Sequence, residues 1–301
     1  MAATFIEVPQ EKDSVALSSV GDYIQLLKPR IMCLVVFTAV TGMLVAPGTI
    51  HPLIGLVSTV CVALGAGAAG ALNMWYDSDI DAIMDRTKSR PVPAGKIRRE
   101  QALECGMVLA TLSVFIMAIA VNYASALLLA GSIFSYAVVY TMLLKRRTPQ
   151  NIVIGGIAGA FPPVIGWASV SGAPSFESLA LFAIIFVWTP PHFWAISLLT
   201  LEEYKKASIP MLPVYCVRKT RWHILLYSAI LAVVSATPGL FVKNPILYEI
   251  LATCLSATFI AYATAVFREK GQPSPQACMG LFKYSIYYLF LLFATVIACG
   301  Y

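Results

Sequence analysis

Long apolar runs separated by short polar breaks dominate the chain, and their lengths dictate the elements. A helix rising 1.5 Å per residue needs about 20 apolar residues to cross roughly 30 Å of hydrocarbon. Nine segments meet that length, at about 29–47, 52–75, 101–121, 123–144, 152–171, 177–200, 222–242, 245–267 and 281–300. Each is expected as a helix, because an isolated segment in lipid must satisfy its own backbone hydrogen bonds. The shortest breaks, around Asn122 and around Lys243–Pro245, divide runs too long for single crossings. The predicted fold class is all-α, a polytopic membrane protein with nine transmembrane helices forming one domain from residue 23 to 301.

Composition agrees with that pattern. Apolar residues make up 59% of the 301 and charged residues 12%, against about 25% charged in a soluble domain. Such a chain cannot cover an aqueous surface. All of the 21 Lys and Arg residues except Lys243 fall on one side of the predicted spans or in the leading tail. Positive charge gathers on cytoplasmic loops, so the N-terminus is expected in the cytoplasm and the C-terminus outside. This topology explains the net charge of +6; there is no soluble basic domain for nucleic acid to bind. Residues 1 to about 22 read as a polar cytoplasmic tail. Glu7, Glu11, Asp13 and Asp22 outnumber Lys12 there, unlike a secretory signal or a transit peptide. The seven cysteines form no CxxC and mostly lie in apolar segments, as small buried hydrophobes do.

The chemistry concentrates where the second apolar run ends. If the helix continues there, Asn73, Asp77, Asp81 and Asp85 recur every four residues and stack on one face. Like charges one turn apart repel, so the row calls for a cation. Carboxylate and amide oxygens suit Mg²⁺, which commonly binds through one or two carboxylates plus substrate phosphates. Basic residues follow at once: Arg86 and Arg90, spaced like one helical turn, with Lys145, Arg146 and Arg147 on the same membrane side. An acidic row beside cations is what a metal–diphosphate substrate requires. Asp79, Lys88, Arg146 and Arg147 read instead as solvated loop charges. A second acidic pair, Glu202–Glu203, opens the loop after the sixth span, as the first acids open the loop after the second. Two structural halves meeting around one polar cavity would produce that arrangement.

Trp188-Thr189-Pro190-Pro191-His192-Phe193-Trp194 lies inside the sixth span. The double proline removes two backbone donors and is expected to bend the helix. His192 could ligate a metal or haem iron, relay a proton, or bond a neighbouring helix. His223 reads as an interface residue, and Tyr284, Tyr287 and Tyr288 as packing.

Asn73, Asp77 and Asp81, followed by Arg86-Thr87-Lys88-Ser89-Arg90-Pro91, resemble the first motif of the intramembrane UbiA-type prenyltransferases. Thr148–Gly156, Trp188–Trp194 and Glu202-Glu203-Tyr204 through Val214 are similar to the haem-farnesylating branch of that family. The resemblance spans about residues 20–300. It implies nine helices around a central cavity in a bacterial cytoplasmic membrane. It also implies Mg²⁺-dependent transfer of farnesyl from farnesyl diphosphate to a vinyl group of haem B, with addition of water. The implied roles are Asn73, Asp77, Asp81, Glu202 and Glu203 on the metal, and Arg86, Arg90 and Lys145 on the diphosphate. Tyr140 and Tyr204 are weaker diphosphate candidates, and His192 would face the haem. Membrane lipid, a haem A synthase and a terminal oxidase are the implied partners. Four positions depart from the family pattern: Glu202 and Glu203 stand where aspartates are usual, Ser208 where a glycine is, and Asp85 where an acid is not. Other acceptors, an aromatic acid, a quinone precursor or a chlorin, share the first motif. A cation-coupled transporter would also place acids in broken helices.

Overall fold

A computed structural model describes residues 18–269, 271 and 274–300; the tail reading for residues 1–17 lies outside the described residues. Every regular element among the described residues is helical. Its helices are α1 (Val20–Leu26), α2 (Pro29–Val45), α3 (Pro52–Tyr76), α4 (Ser78–Ile83), α5 (Arg99–Ala120), α6 (Tyr123–Phe134), α7 (Asn151–Ser171), α8 (Phe176–Leu199), α9 (Leu201–Lys206), α10 (Leu212–Tyr215), α11 (Val217–Val234), α12 (Pro245–Arg268) and α13 (Pro275–Cys299). A π-helical stretch, Ser135–Leu144, extends α6. Among the described residues, eight helical units are long and apolar enough to cross a membrane alone, and α1 with α2, bent by 54°, forms a ninth candidate. This is a multi-pass membrane protein.

Local chemistry explains the boundaries. Helix α1 starts at Ser19, whose hydroxyl caps the Asp22 N–H while the Asp22 carboxylate accepts from the Ser19 N–H. It therefore begins within the stretch that the sequence assigned to the tail. Helices α2, α3, α12 and α13 open with proline, which has no N–H to leave unpaired in the first turn. Neither proline pair ends its helix: α7 continues through Pro162–Pro163 and α8 through Pro190–Pro191.

Two apolar cores divide the bundle. One joins α3, α5 and α6 to Ala39 of α2 and Ile165 of α7; the other joins α7, α8, α11, α12 and α13. Helices α2 and α7 form the seam. There a Cβ at Gly42 would land on the Pro163 carbonyl, and one at Gly166 on the Ala39 carbonyl, so the backbones touch as small residues allow. Gly166→Ala is expected to lower the melting temperature of the detergent-solubilised protein, by an overpacking penalty of about 1–3 kcal/mol. Gly159→Ala, where nothing lies within 4 Å, should melt as the native chain does. Large apolar side chains such as Val108, Phe115, Ile119 and Leu127 stay exposed on the outer faces, where lipid would cover them.

Candidate active site

The acids gather at the end of α3 opposite the Gly42 seam. Helix α3 stops at Tyr76 and Asp77 takes the capping position, yet the helical hydrogen-bond register carries on. The Asp77 N–H donates to Asn73 C=O at 2.9 Å and the Asp81 N–H to Asp77 C=O at 2.8 Å. Asn73, Asp77 and Asp81 thus stay on one face, and all three are buried. Asp85 leaves the row, because α4 ends at Ile83. Exposed, it pairs with Lys88 at 2.6 Å. Arg86 and Arg90 sit in the turns after α4 rather than on a helix, which corrects the spacing argument for them.

Each buried acid holds a cation. Arg90 folds back to donate to Asp81 Oδ2 at 2.6 Å. Lys145 donates to Asp77 Oδ2, and Arg146 reaches Asp77 Oδ1 at 3.4 Å. Arg146 also grips Asp79 through two contacts of 2.6 and 2.7 Å and lies over the Tyr76 ring. The sequence took Asp79 and Arg146 as solvated loop charges. Asp79 is exposed, as that reading has it, but Arg146 joins the site through Asp77, and its guanidinium holds the Asp79 carboxyl below its usual range. The π-helical stretch places Lys145. Its N–H bonds back five residues to Tyr140 C=O at 2.8 Å, a widened turn of the kind found at functional sites. Thr141, one turn before Lys145, meets Asn73 while Lys145 meets Asp77, so two i,i+4 ladders face each other.

Lys28 is the residue that the sequence reading left among ordinary loop charges. Its backbone is left-handed, φ 56° and ψ 58°, a strained conformation for a lysine. That kink between α1 and α2 sends its ammonium to Asn73 Oδ1 at 2.6 Å. The Asn73 amide nitrogen in turn donates to Asp77 Oδ2 at 2.8 Å. Turning the amide over would set its NH₂ against the Lys28 ammonium and its oxygen against the Asp77 carboxylate, so both neighbours fix its orientation. A lysine directly before the proline that opens the first span, on the same side as the acids, was the available signal.

Glu203 Oε2 accepts the Arg86 backbone N–H at 3.3 Å, docking α9 beside the first acidic loop. Glu202 points outward and pairs with Lys205 at 2.8 Å. Tyr204 packs with Ile80 of α4 and with Met84 just after it, and Tyr140 and Phe193 join the same cluster. Ser208 has φ +52° and ends α9 as a Schellman turn: the Ile209 N–H reaches Tyr204 C=O and the Ser208 N–H reaches Lys205 C=O. A glycine is favoured at such a position. Ser208→Gly is expected to raise stability by about 0.5–1 kcal/mol, the left-handed penalty less glycine's extra entropy, read as a small rise in melting temperature.

Asn73, Asp77 and Asp81 offer only hard oxygen ligands and two carboxylates. Among the described residues no group of three or more His, Cys, Asp or Glu converges on a metal position. That donor set fits Mg²⁺, which keeps waters or phosphate oxygens in its remaining positions. Two concavities lie on outer faces, one of about 420 Å³ against α5 and one of about 190 Å³ between α11 and α12. Neither borders the acid row, where the charged side chains close on one another. His192 sits seven residues before the end of α8, about 10 Å along the axis. Its ring meets Trp188, Phe282 and Ser285, while its neighbour Phe193 packs toward α4. His223 is half-buried, bonds to Lys219 C=O and meets the Trp194 ring edge-on.

The buried carboxylates and the cations they hold thus lie at one end of a bundle with eight or nine candidate spans among the described residues. Residues 35–292 match the UbiA prenyltransferase family, and the chain belongs to that family. It is 87% identical, over 99% of both chains, to Protoheme IX farnesyltransferase of Anaplasma marginale (strain Florida). Its fold is shared, at 16% identity and TM-score 0.76, with a digeranylgeranylglyceryl phosphate synthase, over 93% of this chain and 97% of that one. A UbiA homolog from Archaeoglobus fulgidus bound to GPP and Mg²⁺ matches with TM-score 0.67 at 19% identity, over 91% and 99% of the two chains. Membership of a prenyltransferase family removes the transporter reading.

Proposed function

We propose that the protein transfers farnesyl from farnesyl diphosphate to a vinyl group of haem B, giving haem O and diphosphate. The observation that carries this reading is the 87% identity, end to end, with a protein named Protoheme IX farnesyltransferase. The site geometry supports it with two buried aspartates, the cations they hold, and an aromatic face carrying His192.

When bound, Mg²⁺ would link the diphosphate to Asp77 and Asp81 and draw off negative charge as the leaving group departs. Lys28, Arg90 and Lys145 surround those acids, so the cations can pass from carboxylate to diphosphate oxygen as the substrate arrives. By formal charge, Lys28, Arg90, Lys145 and Arg146 against Asp77, Asp79 and Asp81 leave one positive charge, the complement of a Mg²⁺–diphosphate ester of net charge about −1. Charge growing on the bridging oxygen is stabilised by donors already in place. The allylic C1–O bond breaks with its electron pair leaving on diphosphate. The vinyl π pair then forms the new C–C bond, and water captures the cation left beside the porphyrin, releasing a proton. Dry apolar surroundings protect the farnesyl cation until the vinyl group reaches it. The charge asymmetry of the loops supports a cytoplasmic acid row, from which diphosphate leaves into water, in a bacterial cytoplasmic membrane. A haem A synthase or terminal oxidase is the fitting recipient of the product.

The test is expression, with a haem source, in a host lacking this activity, followed by pigment extraction. Haem O is expected. A different prenylated product, or unmodified haem B alone, would overturn the reading.

A further inference from the structure

The ring of His192 is held on three sides. The Trp188 indole stacks on it at 4.2 Å between centroids, with 17° between planes. The Phe282 ring of α13 stacks at 4.8 Å and 24°. Two rings that close to one imidazole lie on its opposite faces. The third side is Ser285, whose Oγ is 2.6 Å from His192 Nδ1. Trp188 also donates its indole N–H to Ser285 C=O at 2.8 Å, so the same turn of α13 is tied twice to the same turn of α8.

The Ser285 hydroxyl also lies 2.6 Å from Phe282 C=O, to which it can donate. With its single proton there, the hydroxyl accepts from the imidazole and Nδ1 carries the hydrogen. In a neutral imidazole the lone pair then belongs to Nε2. No hydrogen bond to Nε2 is found among the described residues, and the nearest further ring, Phe193, meets the imidazole edge-on at 5.9 Å between centroids. A histidine that donates from one nitrogen to a fixed acceptor and offers the other is the usual form of a metal-ligating imidazole.

We propose that Ser285 is a positioning residue, holding His192 as the Nδ1–H tautomer so that Nε2 ligates the iron of the tetrapyrrole acceptor. The stacked Trp188 and Phe282 stop the imidazole turning, which fixes the direction in which Nε2 would be offered. This rests on the reading of haem B as acceptor.

The test uses the full-length protein in detergent, titrated with haem B in the absence of farnesyl diphosphate and followed by its Soret and visible bands. Metal-free protoporphyrin IX is titrated in parallel. The native chain should show an axial-histidine spectrum, which His192→Ala removes without changing affinity for the metal-free porphyrin. Ser285→Thr and Ser285→Val differ by a hydroxyl at nearly equal volume. The Thr variant should keep the native spectrum, whereas the Val variant loses it and binds haem B about 10- to 100-fold more weakly. Equal spectra and affinities for Thr and Val, with His192→Ala still deficient, would overturn the role of Ser285 alone. A native haem spectrum in His192→Ala would overturn iron ligation itself. Failure of the native chain to bind haem B would overturn the acceptor reading beneath both.

Discussion

Asp77→Asn and Asp81→Asn are each expected to lower haem O formation by about 10³-fold or more, with the protein still recovered from the membrane at full length. Both carboxylates are buried, at 0% and 1% exposure, and both lie where a metal–diphosphate must dock. Asparagine keeps the size and the hydrogen-bonding shape but removes the charge that attracts Mg²⁺. It also strands a cation, Lys145 in one case and Arg90 in the other, since these hold the acids now. Breaking a buried pair costs about 3–5 kcal/mol, so a melting curve must accompany the assay to separate lost chemistry from lost fold. The same short stretch supplies the controls. Asp79 is 61% exposed at its side chain and touches the site only through Arg146, so Asp79→Asn should lose less than about tenfold, the worth of one surface pair. Asp85→Asn should lose nothing, because Asp85 faces Lys88 outside the row. Equal losses at all four positions would mean that the loop charge as a whole, and not the buried row, carries the activity.

Lys28→Met should reduce kcat/KM for farnesyl diphosphate by about 10- to 100-fold, the 1.5–3 kcal/mol of a hydrogen bond to a charged group. Its ammonium is bonded to the Asn73 amide and not to a carboxylate, so it supplies the unbalanced positive charge of the site. Methionine keeps the length and apolar stem and removes the charge. Lys28→Arg should recover little, because a planar guanidinium does not replace a point charge at the end of a strained turn. The steady-state profile identifies the cause. A rise in KM for farnesyl diphosphate with KM for haem B unchanged places Lys28 on the diphosphate. A uniform fall in kcat, tracking a lower melting temperature, would place its role in the α1–α2 kink.

The spans were legible because membrane thickness sets helix length: seven of the nine apolar runs match the observed helices within two residues at each end, while α11 and α13 begin five and six residues before their runs. The acid row was legible because its spacing is helical, and the register survives the break at Asp77. Where the sequence reading fell short, contacts distant in sequence decided the outcome. Lys28 meets a residue 45 positions away through a left-handed backbone that no local propensity predicts. Arg146 stands among three consecutive basic residues, and only the widened turn of the π-helical stretch settles which of them face the acids. Asp85 shared the four-residue spacing, but α4 stopped two residues earlier. Ser285 reaches His192 across 93 positions, and a serine within an apolar span carries no sign of a partner.

The central claim is that one buried acid row, with its cations, uses a divalent metal to expel diphosphate as farnesyl passes to haem. It is tested most directly by incubating the purified protein in lipid vesicles with haem B and farnesyl diphosphate, while measuring haem O by mass and free diphosphate. Equal molar amounts of the two products are predicted with Mg²⁺ present, and neither when it is chelated or when Asp81 is asparagine. Undiminished haem O under chelation, or diphosphate released without haem O, would contradict the account.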